Sequence, residues 1–304
     1  MQPLVHLVLV VVQLLFASLA IAGRFVLPHF PAGALVTVRV LGAAVVLLAL
    51  NAALGGRWVR DRRDLLRLAV LGMLGIAANQ TLFLYGLRHT TAINATILVT
   101  TVPVFTVLGS VLTGREPPSL LKFAGIALAA FGAVYLIGPD RISLAPDVAL
   151  GNALIVVGMM CYAAYFLYSR SVLGRYGSIT VSLYVMLFAS FGVLPFGIAA
   201  VRDLDFSSIS GTVWLWVGYI VVFPTILTYL LNIWALQRVS SNVVAVFIYL
   251  QPLFAAAVAP LVLDGEHLTA RAALAGLAIF AGLGLVILAE RRQHREIPVE
   301  AVGE

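Results

Sequence analysis

Apolar segments of about 20 residues recur along the whole chain, and nearly every break between them carries glycine, proline or charge. An α-helix rises about 1.5 Å per residue, so about 20 apolar residues cross a hydrocarbon core about 30 Å thick. The pattern therefore predicts an all-α membrane protein with ten transmembrane helices and no soluble domain. The predicted helices cover residues 4–22, 31–54, 68–87, 93–112, 120–137, 148–169, 179–200, 212–236, 243–263 and 271–289.

A repeat of half the chain length runs through this pattern. The sequence Tyr-Gly-Leu-Arg-His-Thr-Thr-Ala at residues 85–92 has a counterpart, Trp-Ala-Leu-Gln-Arg-Val-Ser-Ser, at residues 234–241, an offset of 149. Pro103 falls on Pro252 at the same offset. Chance similarity between apolar helices is the alternative, but proline and glycine markers recur in order, which favours a true repeat.

Five helices per half is an odd number, so the second half must enter the membrane in the opposite sense to the first. The pattern predicts a first five-helix repeat in residues 1–145, a second in 146–290 and a cytoplasmic tail in 291–304. Inverted repeats of this kind place a substrate site near the bilayer midplane, between the halves.

Composition excludes a soluble fold. The chain is 62% hydrophobic and 11% charged, whereas soluble domains are about half apolar and a quarter charged. Cys161 is the only cysteine and lies in an apolar segment, which excludes an intrachain disulfide and a cysteine metal site. With no glycine-rich phosphate loop, we expect no cofactor, no metal and no ATP-driven transport.

The basic residues indicate orientation. A net charge of +6 would suit nucleic acid, but the 18 arginines and Lys122 lie largely in short loops between apolar segments. Cytoplasmic loops are rich in Lys and Arg, and an inside N-terminus places 13 of the 19 on the inner side. We therefore expect a lipid bilayer and no nucleic acid as partner, with both termini cytoplasmic in a bacterial inner membrane.

Polar residues deep within the predicted helices are the candidates for a substrate site, because lipid-facing polar groups are costly. Asn79 and Gln80 map by the offset onto Thr228 and Tyr229, which places a polar pair from each half at one level. Hydrogen bonding between packed helices is the alternative role. The candidates are Gln13, Asn79, Gln80, Asn94, Thr101, Tyr162, Tyr165, Thr228, Tyr229, Asn232 and Gln251.

Two prolines and three charged residues complete the set. Pro103 and Pro252 remove backbone hydrogen bonds, so each is predicted to be a hinge or a static kink. Arg39 lies near the outer end of its helix and is expected to snorkel or to form a structural pair. Glu116 and Glu266 lie in turns before helices, where a carboxylate favours the helix N-terminus and needs no transport role.

These markers resemble the drug/metabolite transporter superfamily, and within it the ten-helix EamA-type exporters. The resemblance rests on Ser/Thr-rich entries to the fourth and ninth helices, the proline in each, and the Gly-Glu turns that follow. Arg39 matches an arginine that the family often carries. Phe16 and Tyr162 replace a tryptophan that is common in the family. The resemblance implies export of metabolites, often amino acids, by alternating access.

The predicted function is secondary transport of small neutral or zwitterionic metabolites, such as amino acids, out of the cell. No Asp or Glu falls at a predicted midplane, which disfavours lipophilic cations exchanged for protons. An importer or facilitator of a sugar-like or nucleobase-like metabolite is the first alternative, and a membrane-embedded enzyme or structural partner is the second. The five histidines are scattered, so no enzyme site is predicted. Monomer and homodimer are both compatible with the pattern.

Overall fold

The computed structural model describes residues 2–202, 204–205, 207, 209–262 and 270–296, and every long element within them is a helix. Nine helices among these residues are long and apolar enough to cross a membrane, and a tenth contains the apolar stretch Pro3–Leu19. The predicted ten-helix, all-α membrane fold is confirmed. The helices are α1 Gln2–Val26, α2 Ala32–Ala53, α3 Arg62–Arg88, α4 Ala92–Val99 and Val102–Leu112, α5 Leu120–Ile137, α6 Ala149–Leu173, α7 Ser178–Arg202, α8 Gly211–Leu236, α9 Ser241–Val246 and Leu250–Val262, and α10 Ala270–Glu296.

Side-chain caps begin several of the helices. The Thr91 hydroxyl accepts from the Asn94 backbone N–H at the start of α4, and the Ser240 hydroxyl accepts from the Val243 N–H at the start of α9. Each cap satisfies a backbone donor that the helix leaves free. Thr91 and Ser240 are equivalent at the repeat offset of 149, so both halves begin this helix in the same way.

Irregular helix geometry follows the same repeat. A π-helical turn, Met73–Ala78, interrupts α3, and a second, Val222–Leu227, interrupts α8 at an offset of 149 residues. The helix α4 breaks between Val99 and Val102, and α9 passes through a 3-10 turn, Phe247–Tyr249. Because π-helical turns are rare and cluster at functional positions, their recurrence at one offset marks equivalent places in two related halves.

Contacts between helices are consistent with a pseudo-twofold relation. Each equivalent pair α2–α7, α4–α9 and α5–α10 is in contact, and α3 packs on α6 as α8 packs on α1. Likewise α4 contacts α6 as α9 contacts α1, and α3 contacts α7 as α2 contacts α8. The two halves therefore interlock, and the helices α1, α3, α4, α6, α8 and α9 surround the centre of the bundle.

Glycines allow the closest of these contacts. A Cβ at Gly75 of α3 would overlap the Tyr165 ring of α6, and a Cβ at Gly125 of α5 would lie 2.7 Å from the Gly282 carbonyl of α10. Small residues at helix crossings are typical of membrane proteins, since backbone proximity supplies the van der Waals contact that drives association.

One end of the bundle carries Arg57, Arg60, Arg62, Arg63 and Arg67, and we call it the basic end. There the Asp64 carboxylate, 1% exposed, accepts hydrogen bonds from Arg67, Arg175 and Tyr176 at 3.0, 3.0 and 3.1 Å. Burial and the Asp64 carboxylate raise the pKa of Tyr176. This network ties the start of α3 to the loop between α6 and α7.

A second network at the basic end, the Lys122 cluster, comprises Glu116, Lys122, Asn242 and Glu290. The Lys122 ammonium lies 2.5 Å from Glu116 and 2.9 Å from Glu290. Asn242 Nδ2 donates to Glu116 at 2.6 Å. Ser119 caps α5, so Glu116 binds these side chains and not the helix N-terminus that we expected. Glu266 and the end of the predicted tail, 297–304, lie outside the described residues.

Candidate functional site

A cavity of about 150 Å³ lies between the two halves, enclosed by α1, α2, α3, α4, α6, α8 and α9. Its apolar wall includes Phe16, Leu19, Phe83, Met159 and Ile248. Cavities for drug-sized ligands measure about 300–1,000 Å³, so this one suits a small metabolite. Its polar wall consists of Arg39, Asn79, Gln80, Tyr162, Tyr229 and Gln251.

Two of these polar residues come from equivalent positions of the two halves. Gln80 of α3 and Tyr229 of α8 line the same cavity. They are equivalent at the repeat offset, and each follows the π-helical turn of its helix. A π-helical turn adds one residue per turn and rotates the side chains that follow it. This places both side chains on the cavity wall.

Other predicted residues support this wall. Gln251 of α9 donates from Nε2 to Gln13 Oε1 of α1 at 2.8 Å, so Gln13 lies directly behind the wall. Asn79 Nδ2 donates to the Gly158 carbonyl of α6 at 3.0 Å, which leaves its side-chain oxygen free for a ligand. The Tyr162 ring packs against Tyr165 with a centroid distance of 5.8 Å and an interplanar angle of 8°.

The remaining candidates lie away from the cavity wall. Tyr165 and Asn232 are buried between helices, and the Thr228 hydroxyl donates to the Phe223 carbonyl at 3.0 Å within the π-helical turn. Thr101 donates to the Leu98 carbonyl at 2.6 Å. Asn94 lies in the first turn of α4. Its Nδ2 donates to the Ser143 carbonyl at 2.7 Å and to Asn152 Oδ1 at 3.2 Å.

The two prolines follow interruptions in equivalent helices. Pro103 lies directly after the break of α4, and Pro252 lies three residues after the 3-10 turn of α9. Because proline cannot donate a backbone hydrogen bond, each one leaves a carbonyl of the preceding turn free of its usual partner. The cavity residues Val102 and Gln251 lie next to them. A hinge role for Pro103 and Pro252 stays a prediction.

Arg39 is the main difference from the sequence-based expectation. Its side chain does not snorkel to the interface: the residue is 5% exposed and lines the cavity together with Tyr162 and Tyr229. Among the residues that the structure describes, no acidic one lines this cavity. The position of Arg39 along α2 suggested that its side chain reaches the interface. Only the packing of α2 against α3, α7 and α8 shows its actual direction.

A second cavity, of about 220 Å³, lies between α2, α3 and α7 near the end opposite the basic end. Arg88 is the only charged residue among the described ones that line it, and its guanidinium lies over the Tyr85 ring at 5.6 Å. It contains none of the polar pairs that recur between the halves, so the central cavity is the candidate site. Among the described residues, no three His, Cys, Asp or Glu side chains cluster as metal ligands would.

The two ends of the central cavity are packed differently. All ten residues at 241–250 of α9, toward the basic end, are buried. The equivalent part of α4, toward the other end, has an exposed Thr96 and half-buried Ile97 and Leu98. The two equivalent segments are therefore buried to different extents, and the segment toward the basic end is the more buried one.

Comparison with known proteins agrees with this architecture. The model of the EamA-like transporter family matches residues 3–138 and again residues 149–288. An uncharacterized transporter of Archaeoglobus fulgidus is 26% identical over 306 residues, which cover 97% of this chain and 100% of the relative. A probable terminal-alkyne amino-acid exporter of Streptantibioticus cattleyicolor is 28% identical over 91% of both chains.

The fold is also similar to a solved protein crystal structure, with a TM-score of 0.79 at 20% sequence identity. The match covers 95% of this chain and 98% of the other. The family match spans both halves and nearly the whole membrane region, and the relatives are transporters by name. The chain is therefore a multi-pass membrane transporter and belongs to the EamA-like transporter family.

Proposed function

We propose that this chain is a secondary transporter that exports amino acids or similar small neutral or zwitterionic metabolites by alternating access. The observation that carries the proposal is the central cavity, whose wall contains Gln80 from one half and Tyr229 from the equivalent position of the other half. A site shared by inverted halves can be exposed to either side as the halves exchange conformations.

The chemistry of the wall supports an amphipathic solute. Carboxamides can both donate and accept hydrogen bonds, and tyrosine adds an apolar ring with a hydroxyl. No carboxylate lines the cavity, so a lipophilic cation would find no counter-charge there. The similarity to a probable terminal-alkyne amino-acid exporter also favours amino-acid export.

The proposed direction of insertion follows from the arginines. The basic end would face the cytoplasm of the inner membrane, with both termini on that side. In that orientation the buried residues 241–250 would lie on the cytoplasmic side, which supports a conformation that is open toward the outside.

Cysteine labelling tests this orientation. Cys161 is the single cysteine of the chain, so a Cys161→Ser background permits one introduced cysteine at a time. We expect Arg60→Cys to react with a membrane-impermeant maleimide only after the inner membrane is opened, because Arg60 is exposed at the basic end. Leu144→Cys, exposed at the other end, is the matched control and should react in intact cells. Reaction of Arg60→Cys in intact cells would contradict the orientation.

Counterflow in proteoliposomes tests transport itself. Vesicles that contain the full chain are loaded in turn with each unlabelled amino acid, a sugar or a cationic dye, and uptake of the labelled form is measured. We expect saturable counterflow for at least one amino acid and none for the dyes. Absence of saturable flux for the whole panel would remove the proposed function, and flux of sugars alone would favour the alternative substrate class.

Substitution of Tyr229 tests the cavity. Tyr229→Phe keeps the ring and removes the hydroxyl near Gln80, and one hydrogen bond contributes about 1 kcal/mol. We therefore expect the half-saturating substrate concentration to rise about fivefold, a change that corresponds to this energy. Tyr168→Phe is the control, because Tyr168 is 45% exposed and lies outside the cavity. Equal affinities for both variants would place the substrate elsewhere.

A further inference from the structure

Of the described residues that line the central cavity, Arg39 is the one with a charged side chain. It forms no ion pair with the described residues, and its buried Nε has no hydrogen-bond partner among them. Two arginines near the ends of the protein, by contrast, have hydrogen-bond or ion-pair partners. Arg115 donates to the Leu167 carbonyl at 2.7 Å, and Arg271 lies 3.4 Å from Asp140.

An unpaired arginine in this position is costly to the folded protein. Insertion scales assign about 2.5–3.5 kcal/mol to an arginine at the centre of a membrane helix, and a polar cavity reduces that cost only in part. Guanidinium groups are always protonated, so Arg39 cannot escape the cost by losing its proton. Burial of an unpaired charge at such a cost favours a role for Arg39 in ligand binding, because an anionic ligand would form an ion pair with it.

We propose that Arg39 binds the carboxylate of the transported substrate. Its fork of N–H donors matches the two oxygens of a carboxylate. Tyr162 and Tyr229, which line the same cavity, would contact the rest of the molecule. This inference rests on the proposed function and narrows it. The substrate carries a carboxylate, and an ammonium group on the same molecule would contact the neutral oxygens of Asn79, Gln80 or Gln251.

The size of the cavity limits the anion. A cavity volume of about 150 Å³ has room for a small molecule that carries a carboxylate. The described residues of the wall include one cation, Arg39. A phosphate monoester carries nearly two negative charges at neutral pH, so one arginine would leave it partly unneutralised. Sites for such groups commonly contain several donors or cations. A single arginine among neutral amides and phenols therefore favours a monocarboxylate.

Competition between an acid and its amide tests the inference in the full reconstituted chain. For each amino acid that shows counterflow, the unlabelled acid and its carboxamide compete with the labelled acid. L-leucine with L-leucinamide and L-phenylalanine with L-phenylalaninamide are the first pairs. We expect the wild type to prefer the acid at least tenfold, since a charge-assisted bidentate pair is stronger than a neutral hydrogen bond. Arg39→Gln should abolish most of this preference, and Arg39→Lys should retain part of it.

Thermal unfolding of the purified protein supplies a readout that does not need transport. Because the unliganded protein carries the unpaired charge, Arg39→Gln should unfold at the same or a higher temperature than the wild type. Sodium 4-methylpentanoate should raise the unfolding temperature of the wild type and not that of Arg39→Gln, whereas 4-methylpentanamide should raise neither. Arg238→Gln is the control, because Arg238 is exposed and donates to the Trp234 carbonyl at 2.8 Å. It should behave as the wild type.

The outcomes separate the inference from the proposed function. Counterflow with equal competition by acid and amide would leave amino-acid transport standing and overturn the role of Arg39. A lower unfolding temperature for unliganded Arg39→Gln would assign Arg39 a structural role and likewise overturn the inference. Absence of all counterflow, combined with carboxylate-specific stabilisation that Arg39→Gln loses, would retain the anion site and remove the transport proposal.

Discussion

Replacement of Lys122 by methionine is expected to cost about 3 kcal/mol of unfolding free energy. The Lys122 ammonium is 3% exposed and bridges Glu116 and Glu290. Removal of one partner from a buried charge network costs about 3–5 kcal/mol, because the remaining charges stay desolvated without compensation. Both carboxylates keep some solvent contact, at 18% and 13% exposure, which places the effect at the lower end. Unfolding of the purified variant in detergent measures it.

A variant in which all the charges of the Lys122 cluster are removed provides the comparison for Lys122→Met. A triple variant, Lys122→Met with Glu116→Gln and Glu290→Gln, removes all three charges, and replacement of an entire buried ion cluster is often neutral. It should therefore recover most of the stability that the single variant loses. Arg271→Met is the control, because its pair with Asp140 is exposed and such pairs contribute about 1 kcal/mol or less. A Lys122→Met protein that unfolds like the wild type would contradict the assigned role.

The Lys122 cluster also bears on the conformational change. Asn242 at the start of α9 donates both to Glu116 and to Ser110 of α4, while Lys122 links the start of α5 to the end of α10. These bonds join the halves at the end where residues 241–250 are buried. Opening of this end requires the bonds to break, so the triple variant should also make Val243→Cys, a position buried in the wild type, reactive to labelling from the basic end in a Cys161→Ser background.

The helices and the repeat were predictable from the sequence because both are visible in patterns that extend over many residues. Hydropathy over about 20 residues predicted α5 at residues 120–137, which the structure gives as Leu120–Ile137. Because each half has five helices, an odd number, the second half had to be inverted in the membrane relative to the first, whatever the exact helix boundaries. The repeat offset also related Gln80 to Tyr229 before their proximity was known, because inverted halves bring equivalent residues together near the pseudo-twofold axis.

Side-chain direction was not predictable in the same way. The π-helical turns of α3 and α8 rotate the side chains that follow, so the repeat offset and polarity alone do not decide which residues of α8 face the cavity. Tyr229 lines the wall, whereas Thr228 and Asn232 face neighbouring helices. The direction of Arg39 depends on contacts of α2 with three other helices. Only the packing of neighbours decides between the interface and the cavity.

Replacement of Gly282 by alanine is expected to destabilise the contact between α5 and α10, because there is no space for a side chain where Gly125 and Gly282 meet. A Cβ at Gly282 would lie 2.5 Å from the Gly125 carbonyl and 2.6 Å from the Ala129 nitrogen. Both neighbours are backbone atoms of a helix, so neither can move without shifting α5 as a unit. Overpacking of this kind costs about 1–3 kcal/mol and occasionally more. Gly282→Ala should therefore destabilise the protein even though alanine favours helices.

Gly284, two residues along α10, is the matched control. A Cβ there would meet no atom within 4 Å. Alanine exceeds glycine in helix propensity by about 1 kcal/mol, so Gly284→Ala should leave stability unchanged or raise it. The two variants thus carry the same chemical change on the same helix with opposite expected signs. Unfolding of both in detergent measures the difference. Because both variants gain the same helix propensity, we expect this difference to equal the overpacking cost alone, about 1–3 kcal/mol. Equal stabilities would mean that α5 and α10 are not held at the separation that the Gly125–Gly282 contact requires.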